Sequence, residues 1–151
     1  MTDKTEWRKG DFVISTEKER FDRPLIQRFL SGSYWAKGIP LDVVEKSIEN
    51  ALCFGVYKGK EQVGFARVIT DYATFAYLAD VFVLEGNRGE GLGVWLMEVV
   101  MAHPDLRGLR RWMLVTRDAH RLYEKTGWRT VASPERFMEI VNPNIYVRRK
   151  K

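Results

Sequence analysis

The hydrophobic pattern of the chain alternates between strand-like runs and helix-like stripes from one end to the other. Short apolar runs bounded by turn residues predict strands at 12–15, 52–57, 62–70, 74–84, 112–116 and 137–141. Apolar residues at helical spacing predict helices at 22–30, 41–50, 94–100 and 118–127. Strands that begin antiparallel and then cross over through helices predict an α/β (α+β) fold of one domain, with a mixed, mostly antiparallel sheet flanked by helices.

The segment between the central strand and the third helix carries the strongest chemical signal. The apolar run ends at Gly86, a turn with glycines at 89, 91 and 93 follows, and helical spacing begins at Val94. A strand, glycine loop and helix in this order point backbone N–H groups and the positive helix end at one spot. Glycines let an anion approach the main chain closely. We therefore expect a phosphorylated cofactor here.

The spacing of these glycines separates three kinds of phosphate loop. The dinucleotide pattern G-x-G-x-x-G fails at its third glycine, and the chain has no Gly-Lys-Ser/Thr triplet. What remains, Arg88-Gly89-Glu90-Gly91-Leu92-Gly93, fits R/Q-x-x-G-x-G/A. This segment resembles the acetyl-CoA pyrophosphate loop of the GNAT superfamily of N-acetyltransferases.

A second segment shows the same resemblance. After the strand at 112–116, Ala119, Leu122, Tyr123, Gly127 and Trp128 match the family phrase A-x-x-L-Y-x-x-x-G-F/W. Asp118 is a good N-cap and Gly127 a left-handed stop for this short helix. The family often has Asn near its start, where this chain has Arg117-Asp118. The resemblance covers about 11–140.

The resemblance implies a function, a cofactor and a set of cofactor contacts. It implies a GNAT-like sheet that opens into a V where the coenzyme arm enters. It also implies acetyl-CoA as co-substrate, no metal, and direct transfer of acetyl to a primary amine, with a small molecule as the expected acceptor. The cofactor-binding residues that we expect are Val81, Phe82, Val83, Arg88, Gly89, Glu90, Gly91, Leu92, Gly93 and Asp118.

The resemblance also implies the catalytic groups. Tyr123 is expected to be the general acid that protonates the coenzyme thiolate, and main-chain N–H groups of 81–83 polarise the thioester carbonyl. Asp80 is our candidate general base, and Asp71 and Glu85 are alternatives that flank the same strands. Asp71 can equally be a turn former.

The acceptor pocket is the least determined part of the sequence. In the family the first helices and their connecting loop form one wall, which here includes Tyr34 and Trp35, and we add Arg67 and Tyr72 as candidate substrate contacts. Arg67 shares a strand face with apolar residues, so it needs a substrate anion or a partner such as Asp71 or Asp80. A small amine, an amino acid, an antibiotic and a protein lysine all stay open as acceptors.

Length and composition indicate the number of domains and the cellular compartment. The chain has 151 residues, and we expect one domain over 1–151, with a core at about 11–141 and a basic tail at 142–151. One cysteine, Cys53, excludes an internal disulfide. No apolar run reaches membrane-spanning length, and the first residues do not begin a signal peptide. We therefore expect a cytoplasmic protein without membrane contact.

The net charge of +5 leaves two other classes of function to weigh. The terminal cluster 148–151 is basic and would suit nucleic acid, but it is short, and a disordered tail without nucleic-acid contact is the expectation that we adopt. A non-catalytic acyl-CoA-binding module is the other alternative, against which Tyr123 argues. A homodimer is a possible assembly.

Overall fold

A six-stranded sheet runs through the molecule, and its strands lie side by side in chain order. The computed structural model describes residues 4–149. Neighbouring strands are antiparallel except β5 and β6, which are parallel. The strands are β1 (Glu6–Lys9), β2 (Phe12–Ser15), β3 (Leu52–Lys58), β4 (Glu61–Thr70), β5 (Phe75–Val83) and β6 (Arg111–Met113). The helices are α1 (Arg23–Ser31), α2 (Leu41–Glu49), α3 (Leu92–Met101), α4 (His120–Glu124) and α5 (Ile145–Arg149).

The predicted fold class is confirmed, and the strands differ from the prediction at the two ends of the chain. The predicted strands 12–15, 52–57, 62–70 and 74–84 appear as β2 to β5, and the one at 112–116 appears as the shorter β6. The sequence analysis missed β1, which pairs with β2 and has two exposed residues. The strand predicted at 137–141 is wrong. Met138 and Ile140 are 98% and 105% exposed, and no strand of the described chain pairs with this segment.

Helices α1 and α2 form for the reasons that their sequences indicate. The Asp22 carboxylate accepts the backbone N–H of Leu25 at 3.1 Å, which satisfies one of the free donors of the first turn of α1. Ile26 and Leu30 of α1 and Val44 of α2 are fully buried or nearly so. Both helices therefore use one apolar stripe to cover the same face of the sheet.

The sheet separates two apolar cores. One core contains the buried residues of α1 and α2 with Phe65 and Phe82 from the sheet. The other contains α3, which has six buried residues and is apolar nearly all round, together with Tyr123 of α4. A helix of that kind can be stable only when it is covered on most sides, here by the sheet and α4.

The segment predicted as a basic tail, 142–151, is partly helical. Helix α5 occupies Ile145–Arg149, and Tyr146 packs against the α1–α2 core. Lys150 and Lys151 lie outside the described residues. Within residues 4–149, no helix is long and apolar enough to cross a membrane.

Candidate active site

Strands β5 and β6 pair over only part of their length, and this opens the sheet. The pairs run from Phe75–Arg111 to Tyr77–Met113. Residues 78–83 therefore have no paired strand on that side within the described chain. All three strand residues predicted to bind the cofactor lie in this free part. The V-shaped opening expected from the resemblance thus lies beside residues 81–83.

A β-bulge lies at the same place. Phe65 faces Phe82 and Arg67 faces Ala79, so Ala66 of β4 faces both Asp80 and Val81. Asp80 has φ 55, a left-handed conformation that is uncommon for a residue with a side chain. A bulge leaves backbone groups of the extra residue unpaired and redirects the strand. The main chain at the start of 81–83 can therefore offer N–H donors to a ligand.

The glycine loop between β5 and α3 has the conformation that its sequence predicts. Gly89 and Gly91 have φ values of 86° and 75°, and a Cβ at either position would meet nothing within 4 Å. Gly91 is the N-cap of α3, which has no side-chain cap and no acidic residue in its first turn. Free N–H groups, an open approach and a positive helix end form a donor set that fits a pyrophosphate.

The other predicted cofactor residues around this loop have different roles. Leu92 is buried and anchors α3, and Glu90 is exposed. A Cβ on Gly93 would lie 3.3 Å from Leu122, so this glycine permits close packing of α3 against α4. Arg88 donates from Nε to the Val83 carbonyl at 3.1 Å, which ties the loop to the end of β5.

Asp118 does not cap helix α4, so that prediction is wrong. The N-cap is Ala119, whose N–H donates to the Thr116 hydroxyl at 3.1 Å. Asp118 is 69% exposed and lies 4.0 Å from Arg117. Its place as a cofactor contact stays a prediction. Gly127 has φ 98, as a left-handed stop requires.

Tyr123 lies in α4 at the inner side of this region and is 8% exposed. Its ring contacts Trp128 with centroids 6.0 Å apart. Burial, with a smaller contribution from the nearby Tyr34 phenol, raises the pKa of Tyr123 to about 12. The phenol therefore keeps its proton at neutral pH and can donate it.

An open cleft of about 700 Å³ lies beside the loop that follows α1, and Arg117, from the loop before α4, also lines it. The loop between α1 and α2 forms one wall of this cleft, with Tyr34 and Trp35 in it, and their contact with an acceptor stays a prediction. The Tyr34 hydroxyl accepts the backbone N–H of Arg117 at 2.9 Å, and the Arg117 guanidinium lies 3.9 Å from the Tyr34 ring. The residues that line the cleft are Phe29, Gly32, Ser33, Tyr34, Trp35, Lys37 and Arg117.

Arg67 and Asp80 form an ion pair beside this cleft. Arg67 Nε donates to Asp80 Oδ2 at 2.8 Å, and the two side chains are 17% and 8% exposed. The other carboxylate oxygen, Oδ1, accepts the indole N–H of Trp35 at 2.9 Å. Of the partners that the sequence left open for Arg67, the structure therefore contains Asp80. The contact from Trp35 was not predicted, since it joins residues 45 positions apart.

Tyr72 and Asp71 belong to the β4–β5 turn and not to the residues that line the cleft. The Asp71 carboxylate accepts the backbone N–H groups of Ala73, Thr74 and Phe75 and the Thr74 hydroxyl. These bonds, led by the one from the Thr74 hydroxyl, hold the pKa of Asp71 well below its usual range. Asp71 is therefore a turn former, and its carboxylate is a poor proton acceptor at neutral pH.

The side chains of His103 and Cys53, which metal or thiol chemistry could use, lie in the interior. His103 is buried, and its Nδ1 accepts the Asp105 N–H at 3.1 Å. Among the described residues, no group of three or more His, Cys, Asp or Glu side chains is placed to hold a metal ion. Cys53 is 1% exposed, and burial raises the pKa of its thiol to about 12, so it is a core residue rather than a nucleophile.

Comparison with known proteins identifies the family of this chain. Residues 49–130, more than half of the chain, match the family model "Acetyltransferase (GNAT) domain". A Gibberella zeae protein named "Putative acetyltransferase FG08082" is 32% identical, and the match covers 83% of this chain and 82% of that protein.

Two solved structures extend this result. A crystal structure of a GNAT-family protein from Xanthomonas campestris pv. campestris, described as a "putative acetyltransferase", is 51% identical. It covers 89% of this chain and 96% of its own, with a TM-score of 0.86. A GNAT-family acetyltransferase from Elizabethkingia anophelis with acetyl-CoA bound shares the fold at 15% identity, over 82% and 79% of the two chains, with a TM-score of 0.61. The family model and the relatives at 32% and 51% identity show that this chain belongs to the GNAT family of acetyltransferases and is an acyltransferase.

Proposed function

We propose that this protein is an acetyl-CoA-dependent N-acetyltransferase that acts on the primary amine of a small molecule by direct attack. The observation that carries the proposal is the position of Tyr34. It lines the cleft and lies close enough to Tyr123 to affect that residue's pKa. We place the acceptor amine in this cleft, on the Tyr34 side of the proton donor, so that both act on the thioester bond.

The residues around the glycine loop would hold the cofactor. Backbone N–H groups at Gly89, Gly91 and the start of α3 would bind the pyrophosphate, with Arg88 beside them. The free edge of β5 at 81–83 would hold the pantetheine arm. When bound, acetyl-CoA supplies the acetyl group as a thioester.

The chain's own groups then promote transfer. A main-chain N–H at the bulge polarises the carbonyl oxygen, and one donor of this kind is typically worth about 3 kcal/mol. The amine nitrogen forms a bond to the acetyl carbon as the C–S bond breaks. Tyr123 gives its phenolic proton to the departing sulfur and recovers one from solvent. The nitrogen loses its extra proton to water in the open cleft.

We assign Asp80 to positioning and not to proton abstraction. Both of its carboxylate oxygens already accept bonds from Arg67 and Trp35. Taking up a proton would weaken the ion pair that keeps Arg67 compatible with its burial. Our earlier candidate role for Asp80, the general base, is therefore replaced by a role in holding Arg67.

The buried thiol supports direct attack. A covalent acetyl-enzyme would need a reactive nucleophile, and Cys53 is the chain's single cysteine. Its pKa of about 12 and its burial keep it protonated and out of contact with the cleft.

Thermal unfolding with acetyl-CoA, CoA, NAD and ATP at equal concentration tests the cofactor. A ligand at about 100 times its Kd adds about 2.7 kcal/mol to the unfolding free energy. For a domain of this size that raises Tm by roughly 5–10 °C. We expect a shift with the two CoA species only. A shift with NAD or ATP alone would contradict the proposal.

Thiol release from acetyl-CoA in the presence of amines tests the reaction. Release that depends on the amine and yields the N-acetyl product supports an enzyme of this class. Binding of acetyl-CoA without amine-dependent release from any amine would favour the non-catalytic acyl-CoA-binding module instead.

We propose that the protein is cytoplasmic and forms a homodimer. The C-terminal segment exposes apolar side chains such as Met138 and Ile140, and β6 is an edge strand of the sheet. A second copy could cover both, since exposed apolar segments and open edges favour pairing. Light scattering after size-exclusion chromatography should give twice the chain mass, and a monomer at micromolar concentration would contradict this.

A further inference from the structure

Arg67 is the most deeply placed cation near the cleft. It lies on β4 opposite Cys53 of β3 and Ala79 of β5, on the sheet face that α1 and α2 cover. Its side chain is only 17% exposed. Because charged side chains are rarely this buried without a purpose or a partner, its bonding needs a full account.

Only part of the bonding capacity of this guanidinium is used. Arg67 carries five N–H donors, one on Nε and four on the two Nη atoms. Within residues 4–149, the one hydrogen bond recorded from this side chain is that from Nε to Asp80. The Nη donors together form a planar fork that matches a carboxylate.

Asp80 and Trp35 fix the orientation of this fork. The Trp35 indole holds Asp80 Oδ1 while Arg67 holds Oδ2, so the carboxylate cannot rotate without breaking one bond. Trp35 also lines the cleft. The bonds from Arg67 and Trp35 to Asp80 therefore link Arg67 to the cleft wall and hold its guanidinium in place before any ligand arrives.

The charges around the cleft favour an anion. Lys37 and Arg117 line it, and none of its lining residues is acidic. Asp80 offsets the charge of Arg67, and Asp118 lies near Arg117 on the exposed side. Glu139 is close enough to Tyr77 to influence its pKa, so one further carboxylate lies near this face. The cations at the cleft itself are unopposed by any lining carboxylate.

We propose that the acetyl acceptor carries a carboxylate besides its amine, and that the Nη atoms of Arg67 bind this carboxylate. This inference rests on the proposed N-acetyltransferase function and names its substrate class. Arg67 determines specificity, and Asp80 and Trp35 are positioning residues that act through it. The amine end of the acceptor then points toward Tyr123 and the bulge of β5.

A matched panel of probes tests the substrate class. The probes are the standard L-amino acids, their primary amides and the corresponding decarboxylated amines, with phosphoethanolamine as a phosphate-bearing amine. We expect kcat/KM from thiol release to be roughly 10- to 100-fold higher for one or more amino acids than for the matched amide and amine. Equal use of all three forms would overturn the inference, and preference for phosphoethanolamine would replace the carboxylate with a phosphate.

Arg67→Lys tests the residue, since it keeps the charge next to Asp80 but removes the planar fork. We expect KM for the carboxylated probe to rise roughly 10-fold, with kcat within about twofold and no change for the decarboxylated amine. Arg20→Lys is the matched control. Arg20 pairs at 3.0 Å with Glu6 of β1, and β1 lies at the other edge of the sheet from β6. An equal loss with carboxylated and decarboxylated probes would show that Arg67 is structural only.

Binding separates failure of this inference from failure of the proposed function. Thermal shifts by the same probes are measured with CoA present, for the wild type and for Arg67→Lys. If amides and amines react but amino acids neither react nor bind, the inference fails and the proposed function stands. If nothing reacts but amino acids stabilise the wild type and not Arg67→Lys, the proposed function fails and the carboxylate site stands. No reaction and no binding would overturn both.

Discussion

The glycine loop and the acceptor cleft are built in different ways. The loop from Leu84 to Gly93 is organised by local backbone conformation, with left-handed glycines and an uncapped helix start within ten positions. The cleft is organised by side chains that meet from distant parts of the chain, as Trp35 meets Asp80 and Tyr34 meets Arg117. In the function that we propose, the loop's main-chain donors would bind any CoA thioester, whereas the side chains of the cleft would select the acceptor.

This difference teaches where specificity can change. Main-chain donors depend on glycine spacing and tolerate few substitutions, so the cofactor site is fixed by conformation. Side-chain contacts can be exchanged without altering the backbone, so the acceptor site can be altered independently. Variants that affect one region and spare the other test the separation, and we describe them from the largest expected effect to the smallest.

Tyr123→Phe should have the largest effect. It removes the phenolic proton donor and leaves the ring that packs near Trp128. We expect kcat to fall by about 10²–10⁴-fold, while the Kd of acetyl-CoA from calorimetry and the KM of the acceptor stay within about twofold. Trp128→Phe, which alters the same packing without removing the hydroxyl, is the control. Equal losses in both variants would mean that Tyr123 contributes packing alone.

The pH dependence of kcat should show a rising limb without a falling limb below about pH 11. The folded pKa of Tyr123 lies at about 12, above its ordinary value of 10.0. The phenol therefore stays protonated and competent as an acid through the working range. Below the pKa of the acceptor amine, the rate should rise about tenfold per pH unit as the neutral amine increases. A fall in kcat near pH 9–10 that persists in Tyr123→Phe would assign the falling limb to a different group.

Gly91→Ala tests the cofactor region alone. The residue needs φ 75, which costs a non-glycine residue about 1–2 kcal/mol. We expect the affinity for acetyl-CoA, measured by calorimetry, to fall about tenfold because the loop donors shift. Gly59→Ala, at φ 61 in the β3–β4 hairpin, is the matched control and should lower Tm similarly with no change in affinity. If acceptor KM changed as much as cofactor affinity, the two regions would not be separable.

The residues that could be predicted from the sequence share one property, which is that their roles are local. The loop glycines, the Asp22 cap and the left-handed Gly127 each follow from conformations within a few positions. The cap predicted at Asp118 was wrong because α4 begins one residue later, with Ala119 as an N-cap that has no side-chain bond. The exact first residue of so short a helix is not decided by the spacing of cap residues alone.

The parts that could not be predicted depend on contacts across the fold. Segment 137–141 has the apolar pattern of a strand, but a strand forms only where a partner edge is available, and none in the described chain pairs with it. Strand β1 is short and half exposed, so its sequence has no clear strand pattern. Its pairing with β2 stabilises it as a strand. The hydrogen bond from Trp35 to Asp80 likewise leaves no pattern in the sequence, because the two residues meet only when the α1–α2 loop has folded against β5.

Trp35→Phe tests the acceptor region alone. The change keeps an aromatic ring in the cleft wall but leaves Asp80 Oδ1 without the indole donor, a loss of about 1–3 kcal/mol. We expect acceptor KM to rise about 3- to 10-fold, because Arg67 loses its fixed orientation, with the Kd of acetyl-CoA unchanged. Trp7→Phe, in the core near Phe54, is the control for a lost indole elsewhere. Unchanged acceptor KM would separate Asp80 from acceptor binding.

Tyr34→Phe should have the smallest effect, and it tests the contact between the cleft wall and Arg117. Its hydroxyl accepts the Arg117 N–H, and its ring lies under the Arg117 guanidinium. Phenylalanine keeps the cation–ring contact and loses one hydrogen bond, worth about 0.5–1.5 kcal/mol. We therefore expect a two- to tenfold rise in the Kd of the acceptor that is larger when CoA is bound than when it is absent. Calorimetry of acceptor binding with and without CoA measures this difference. A change that is the same in both states would show that the cleft wall does not sense the cofactor, and the comparison would then be one of two independent sites.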